Sequence, residues 1–202
     1  MRIGLDFDNT IVCYDHAIEK LADELFHLPE EVPRTKLGLR DYLRYEGREG
    51  EWTAFQGELY GPGMRYAHPF EGAISTMQQL TAEGHDLTIV SHRSRWPYAG
   101  DRHNLHNAAH EWIATRLQPA GIFSSERESF HFMESKQEKI EKIVEINFAV
   151  FLDDLPELLD SPNFPSSTIA ILFSPNDHGS QVVGRKTISK WKELIDEVTK
   201  LA

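Results

Sequence analysis

Apolar, β-rich runs alternate with helical patterns along this chain, and this alternation restricts its fold more than any other feature. The runs are Ile3 to Phe7, Asp86 to Ser91, a weaker one at Ser129 to Met133, Asn147 to Leu152 and Thr168 to Phe173. The helical patterns are Ala73 to Ala82, Asn107 to Leu117, Lys136 to Ile146 and Ile188 to Leu201. Strands that alternate with helices of about ten to fifteen residues are typical of βαβ units. The sequence therefore predicts an α/β fold whose sheet is parallel.

The interval from about Tyr14 to Pro69 is too long for a single crossover connection. It opens with an amphipathic helix pattern, and its later apolar side chains favour an ordered subdomain over a long disordered loop. These side chains are Trp52, Phe55, Leu59 and Tyr60. We predict a core domain formed by residues 1–13 and 70–202, and a small, mostly helical cap formed by residues 14–69.

Polar side chains follow three of the apolar runs, at the point where each run ends. Asp6 and Asp8 come after the apolar residues Ile3-Gly4-Leu5 of the first run, Ser91 ends the second, and Asp153 follows the fourth. An unpaired carboxylate in a protein core costs several kcal/mol or shifts its pKa, so such pairs are usually kept for chemistry. In open parallel sheets, ligands bind outside the carboxyl ends of the strands. We therefore expect these groups to share one crevice.

The segments Asp6-Phe7-Asp8-Asn9-Thr10, Ser91 and Asp153-Asp154, with a lysine before the last, resemble the four-motif signature of the haloacid dehalogenase-like hydrolase superfamily. The resemblance covers the core domain from end to end. It implies a Rossmann-like parallel sheet with the first strand in its centre, and a cap inserted between the first and second motifs. Dehalogenases of this superfamily lack a carboxylate at the position of Asp8, so its presence indicates a magnesium-dependent phosphatase or phosphotransferase.

The resemblance also implies roles for the motif residues. Asp6 is the expected nucleophile, which forms an aspartyl-phosphate, and Asp8 the expected general acid and base. Thr10 and Ser91 would bind the phosphoryl group through their hydroxyls. Mg²⁺ prefers oxygen ligands, and those implied here come from Asp6, the backbone carbonyl of Asp8, Asp153 and Asp154. Asn9 is expected to shape the turn.

Three lysines precede the fourth strand, and the choice of the motif lysine rests on the family pattern. A residue at the start of a helix points toward the strand ends, so Lys136 is the predicted phosphate-binding lysine. Lys139 is the alternative, and Lys142 lies another turn away.

The substrate is expected to be a small phosphorylated metabolite, such as a sugar phosphate or a nucleotide. His92 and Arg93 follow Ser91 directly, so we predict that they contact it. The formal net charge of −11 argues against binding to a nucleic acid polymer, which needs basic surfaces. The chain has neither a basic and then apolar leader nor a bilayer-spanning stretch, so a cytoplasmic protein without membrane partners is expected.

Two other functions stay open at this point. A phosphotransferase or mutase would use the same aspartyl-phosphate, because access of water to this intermediate decides between hydrolysis and transfer. A non-catalytic binding protein could keep the fold as a scaffold. The clustered acids Asp6, Asp8 and Asp153 argue against the scaffold, which has no use for them.

Overall fold

The structure is a computed structural model that describes residues 1–123, 129–175 and 186–201. These ranges contain eight strands and eight α-helices. The strands are β1 (Arg2–Leu5), β2 (Val12–Cys13), β3 (His68–Pro69), β4 (Asp86–His92), β5 (Phe130–Met133), β6 (Val150–Asp153), β7 (Ile169–Phe173) and β8 (Lys186–Ile188). The helices are α1 (Asp15–Leu25), α2 (Lys36–Tyr45), α3 (Glu49–Tyr60), α4 (Ala73–Ala82), α5 (Leu105–Arg116), α6 (Lys136–Ile146), α7 (Pro156–Leu159) and α8 (Glu193–Thr199). None of them is long and apolar enough to cross a bilayer.

Six strands form one parallel sheet in the order β5-β4-β1-β6-β7-β8. The prediction of an α/β fold built on a parallel sheet is confirmed, and β1 is an interior strand of that sheet. Its middle residue, Gly4, is required by packing, because a Cβ there would lie 2.3 Å from the ring of Phe151 on β6. The phenyl groups of Phe148 and Phe151 cover the glycine and belong to the buried core.

The predicted helix from Ile188 to Leu201 is wrong at its start. Lys186–Ile188 is the edge strand β8, and the helix begins only at Glu193. The spacing of Ile188, Trp191 and Leu194 suits a helix, but Ile188 is buried in parallel register with Phe173 of β7. Ile188 is buried because it belongs to the sheet, but its spacing from Trp191 and Leu194 also fits the first turn of a helix.

The chain separates into two compact units. The first contains the six-stranded sheet and comprises residues 1–12, 69–93 and 116–202, and the second comprises residues 13–68 and 94–115. The second unit thus takes up the inserted segment and also α5, which the sequence assigned to the core. Within this unit the indole N–H of Trp112 on α5 donates a 3.0 Å hydrogen bond to the carbonyl oxygen of Ala67. This bond ties α5 to the end of the insert.

Candidate active site

The turn after β1 carries the first motif. The backbone N–H of Asp6 still pairs with the carbonyl oxygen of Leu152 on β6, at 2.9 Å. Beyond it the chain reverses, and the carbonyl oxygen of Phe7 accepts hydrogen bonds from the N–H groups of Ile11 and Val12. Asn9 has a φ of 58°, in the left-handed region that asparagine tolerates better than most residues. Asn9 therefore shapes the turn that follows Asp6 and Asp8.

Asp6 is buried, and two donors reach the same oxygen of its carboxylate. The hydroxyl of Ser91 donates to Oδ1 at 2.8 Å, and the ammonium of Lys139 donates to Oδ1 at 2.6 Å. Among the described residues, none donates a hydrogen bond to Oδ2 of Asp6. The two contacts therefore fix the orientation of the carboxylate and both engage Oδ1.

Asp153 lies at the end of β6, beside Asp6. Its Oδ2 accepts from Nζ of Lys139 at 2.6 Å, and its Oδ1 accepts from the backbone N–H of Leu155 at 2.9 Å. Oxygens of Asp6, Asp153 and Asp154 lie within 4.8 Å of one another. The side chain of Asp8 is outside this group. The strand ends thus bring together three of the four residues predicted to hold the metal.

Carboxylates outnumber cations among the contacts that define the site. Four carboxylates, those of Asp6, Asp8, Asp153 and Asp154, are accompanied by the cations of Lys139 and Arg93. Burial, with repulsion from Asp153 and Asp8, raises the pKa of Asp6 from 3.8 to about 7, although Lys139 opposes the shift. Burial works against the charge of Lys139, but the two carboxylates outweigh it and raise the pKa of this lysine. A divalent cation would offset the excess negative charge, and an all-oxygen donor set suits Mg²⁺.

Lys139, and not the predicted Lys136, is the lysine that lies at the strand ends. Lys136 is half-exposed and pairs with Glu157 at 2.9 Å. Ser135 caps α6 in a capping box with Glu138, which fixes the start of the helix at Lys136. One turn later, Lys139 falls on the buried face with Ile140 and Ile143. Because helical side chains point toward the N-terminus of the helix, the long stem of Lys139 reaches back to the strand ends. Position at the helix start alone favours Lys136, whereas the reach of a lysine side chain from the buried face favours Lys139.

Asp8 is partly exposed and forms an ion pair with Arg93. Nη1 of Arg93 lies 2.6 Å from Oδ1 of Asp8, and the arginine side chain is only 3% exposed. His92 ends β4 and is partly buried, and this burial lowers the pKa of its imidazole. Arg93 was predicted to contact the substrate, and the structure places its guanidinium on Asp8. No signal in the sequence links the two residues, which are 85 positions apart.

Thr10 has a buried hydroxyl without a hydrogen-bond partner among the described residues. The side chain is fully buried, and the residue is held through its carbonyl oxygen, which accepts from the indole N–H of Trp191 at 3.0 Å. A buried hydroxyl without a partner costs about 1–3 kcal/mol. Thr10 lies two residues after Asp8 in the chain, and its hydroxyl is a donor that no described residue uses.

No family model matches the chain. A protein of Bacillus cereus that carries the name "Putative nucleotidase" is 24% identical to it, with 99% of each chain covered. Among solved structures, a hydrolase of the haloacid dehalogenase family from Deinococcus radiodurans, with bound phosphate and sodium, matches with a TM-score of 0.56 at 14% identity. The match covers 98% of this chain and 95% of that one. Protein tyrosine kinase A of Mycobacterium tuberculosis matches with a TM-score of 0.62 at 14% identity, over 98% and 97% of the chains.

These likenesses show the fold. The chain has the haloacid dehalogenase-like fold over nearly its whole length, and the residues of the predicted motifs lie at the carboxyl ends of β1, β4 and β6 and on α6. The kinase and the hydrolase share this fold, so the fold alone does not decide the reaction. A proposal about the reaction must therefore rest on the residues at the strand ends.

Proposed function

We propose that the protein is a magnesium-dependent phosphatase that hydrolyses a small phosphorylated metabolite through an aspartyl-phosphate at Asp6. The observation that carries this proposal is the convergence of Ser91 and Lys139 on one oxygen of a buried aspartate beside Asp153. A structural carboxylate needs no such arrangement, whereas a nucleophile needs a fixed orientation and nearby donors for the phosphoryl oxygens.

In the first step, Oδ2 of Asp6 forms a bond to phosphorus while the bond from phosphorus to the leaving oxygen breaks. Asp8 donates its proton to that oxygen, so the product leaves as a neutral alcohol. Lys139 and Thr10 donate hydrogen bonds to the phosphoryl oxygens, on which negative charge accumulates. Ser91 turns its one O–H from Oδ1 of Asp6 to a phosphoryl oxygen. Asp6, Asp153 and Asp154, with the backbone carbonyl of Asp8, would hold Mg²⁺, which supplies positive charge that lets one anion approach another.

In the second step, water attacks the phosphorus of the aspartyl-phosphate. Asp8, now ionised, takes a proton from this water. The bond between phosphorus and Asp6 breaks, and inorganic phosphate is released. The two steps return Asp6 as a carboxylate and Asp8 as an acid, so the cycle is closed without any further reactant.

The identity of the substrate is the finer part of the proposal. The Bacillus cereus relative named as a nucleotidase favours nucleoside monophosphates, with sugar phosphates as the next class. A phosphotransferase would use the same first step and pass the phosphoryl group to an acceptor other than water. Release of inorganic phosphate, against the appearance of a second phosphorylated compound, separates the two reactions.

The test is a panel of nucleoside monophosphates, sugar phosphates and p-nitrophenyl phosphate, assayed with Mg²⁺ for wild type and Asp6→Asn. We expect wild type to release phosphate from at least one compound, EDTA to stop the release and Mg²⁺ to restore it. Asp6→Asn keeps the shape of the side chain and removes the nucleophile, so it should be inactive. Equal activity in the variant, or activity unaffected by EDTA, would refute the proposal.

A further inference from the structure

We infer that Arg93 is a positioning residue for Asp8: it holds the carboxyl group in place for proton transfer and stabilises the charge formed there. This inference rests on the proposed function, because it concerns the acid and base of that reaction. It replaces the expectation that Arg93 contacts the substrate. Three observations carry it, which are the contact between the side chains, the burial of the guanidinium and the anchoring of its backbone.

The contact between the two side chains is short. Nη1 of Arg93 lies 2.6 Å from Oδ1 of Asp8. Hydrogen bonds in which one partner is charged are shorter and stronger than those between neutral groups, and the guanidinium is charged whether or not Asp8 carries a proton. The guanidinium thereby limits the orientations that the carboxyl group of Asp8 can adopt.

The guanidinium is buried to an extent that is rare for arginine. Its side chain is 3% exposed, while that of Asp8 is 18% exposed. The carboxyl group is therefore the part of the pair that a ligand can reach, and the arginine lies behind it. Arg93 is further held by its backbone N–H, which donates to the carbonyl oxygen of Met133 at 2.8 Å, and its Cζ lies 5.8 Å from the centre of the Phe7 ring.

The proton transfer proposed for Asp8 explains why a fixed positive charge lies next to it. As Asp8 donates its proton to the leaving oxygen, negative charge develops on its carboxyl group. Arginine stays protonated at all relevant pH values, so it supplies a fixed positive charge and does not compete for the proton. The charge is already in place before the reaction begins, which is the condition under which electrostatic stabilisation is most effective.

A selective kinetic test separates this role from binding or stability. p-Nitrophenyl phosphate has a leaving group that departs without protonation, whereas an alkyl phosphate needs the acid. Since kcat/KM reports the steps up to the first irreversible one, the ratio of kcat/KM for the two substrates measures acid catalysis at Asp8. Both substrates are assayed on one preparation, so the fraction of folded protein cancels from the ratio.

We expect Asp8→Asn to reduce the alkyl-to-aryl ratio about 100-fold. Arg93→Gln should reduce it about tenfold, and Arg93→Lys, which keeps the charge and loses the planar group, by less. Arg95→Gln is the matched control, because Arg95 is exposed and lies two residues further along the chain. Its ratio should equal that of wild type.

Equal losses on both substrates in the two Arg93 variants would overturn the inference and leave the phosphatase proposal intact. If Arg93→Gln does not fold, Arg93→Lys is compared with wild type instead. An alkyl-to-aryl ratio of kcat/KM that is unchanged in Arg93→Lys would then overturn the inference. Absence of turnover by wild-type protein on every phosphate ester would overturn both proposals. The two failures are therefore distinguishable.

Discussion

The ammonium of Lys139 lies 2.6 Å from Oδ1 of Asp6, although 133 residues separate the two positions in the chain. The same ammonium lies 2.6 Å from Oδ2 of Asp153, and its side chain is fully buried. One lysine thus joins the carboxyl ends of β1 and β6, two neighbouring strands of the sheet. It is the cation on which the closely packed carboxylates at this edge depend.

We predict that Lys139→Met lowers the free energy of unfolding by about 3 kcal/mol, because it leaves Asp6 and Asp153 buried without their cation. The variant should also lose most of its turnover. Part of the lost stability should return as the pH falls, since protonation of Asp6 removes one of the repelling charges. Urea denaturation at several pH values, with phosphate release measured in parallel, tests this.

The matched control for this substitution is Lys136→Met. Lys136 is half-exposed and pairs with Glu157 at the surface, and such pairs contribute less than about 1 kcal/mol. We expect nearly unchanged stability and turnover. A larger loss of activity in Lys136→Met than in Lys139→Met would show that Lys136, and not Lys139, binds the phosphoryl group.

We predict that Thr10→Val leaves the stability of the ligand-free protein unchanged or raises it by about 1 kcal/mol. Valine has the shape of threonine and removes a buried hydroxyl that has no partner among the described residues. The same substitution should lower kcat/KM about tenfold, because it removes one hydrogen bond to a phosphoryl oxygen. Thermal unfolding and steady-state kinetics measure the two effects.

Thr168→Val is the control for Thr10→Val. The hydroxyl of Thr168 is also buried, but it donates to the carbonyl oxygen of Phe148 at 2.8 Å. This variant should lose about 1 kcal/mol of stability and keep the kinetics of wild type. Equal destabilisation by the two substitutions would show that the Thr10 hydroxyl is a structural group.

We predict that the stability of the metal-free protein falls as the pH rises from about 4 to 7, to the extent that Asp6 governs it. The folded protein keeps a proton on Asp6 up to about pH 7, whereas the unfolded chain releases it near 3.8. The unfolded state therefore binds fewer protons in this window, so stability decreases with rising pH. Lys139 is charged in both states there and does not contribute.

Mg²⁺ competes with that proton, so its affinity should increase over the same window and its binding should release a proton. Titration calorimetry near pH 6 in buffers of different ionisation enthalpy measures the number of protons released. Asp6→Asn should abolish the release. Proton release unchanged in that variant would assign the raised pKa to another group.

The sequence was sufficient for the architecture because the sheet is buried on both faces. Its strands read as continuous apolar runs, such as Val150 to Leu152, and Ala73–Ala82 and Lys136–Ile146 form helices within the predicted bounds. The boundary that failed, at Ile188, failed because one apolar residue satisfies helical spacing and strand register equally well. The local sequence pattern does not distinguish a helix from a strand at this position.

The site was predictable in part for a similar reason. The strands β4, β1 and β6 are neighbours in the sheet. Their carboxyl ends carry Ser91, Asp6 and Asp153, so the topology alone brings these residues together. Lys139 was ranked behind Lys136, because the choice depends on which face of α6 is buried and how far a lysine reaches. The pair of Asp8 and Arg93 depends on a contact between loops, for which no periodicity exists.

Borohydride trapping at position 6 tests the central claim most directly. Asp8→Asn protein is mixed with p-nitrophenyl phosphate and Mg²⁺, quenched and reduced, and its N-terminal peptide is analysed by mass spectrometry. Because this variant lacks the base of the second step, an aspartyl-phosphate should accumulate at Asp6 and be reduced to homoserine there, and EDTA should prevent this. Phosphate release with an unmodified Asp6, or trapping at another carboxylate, would contradict the mechanism.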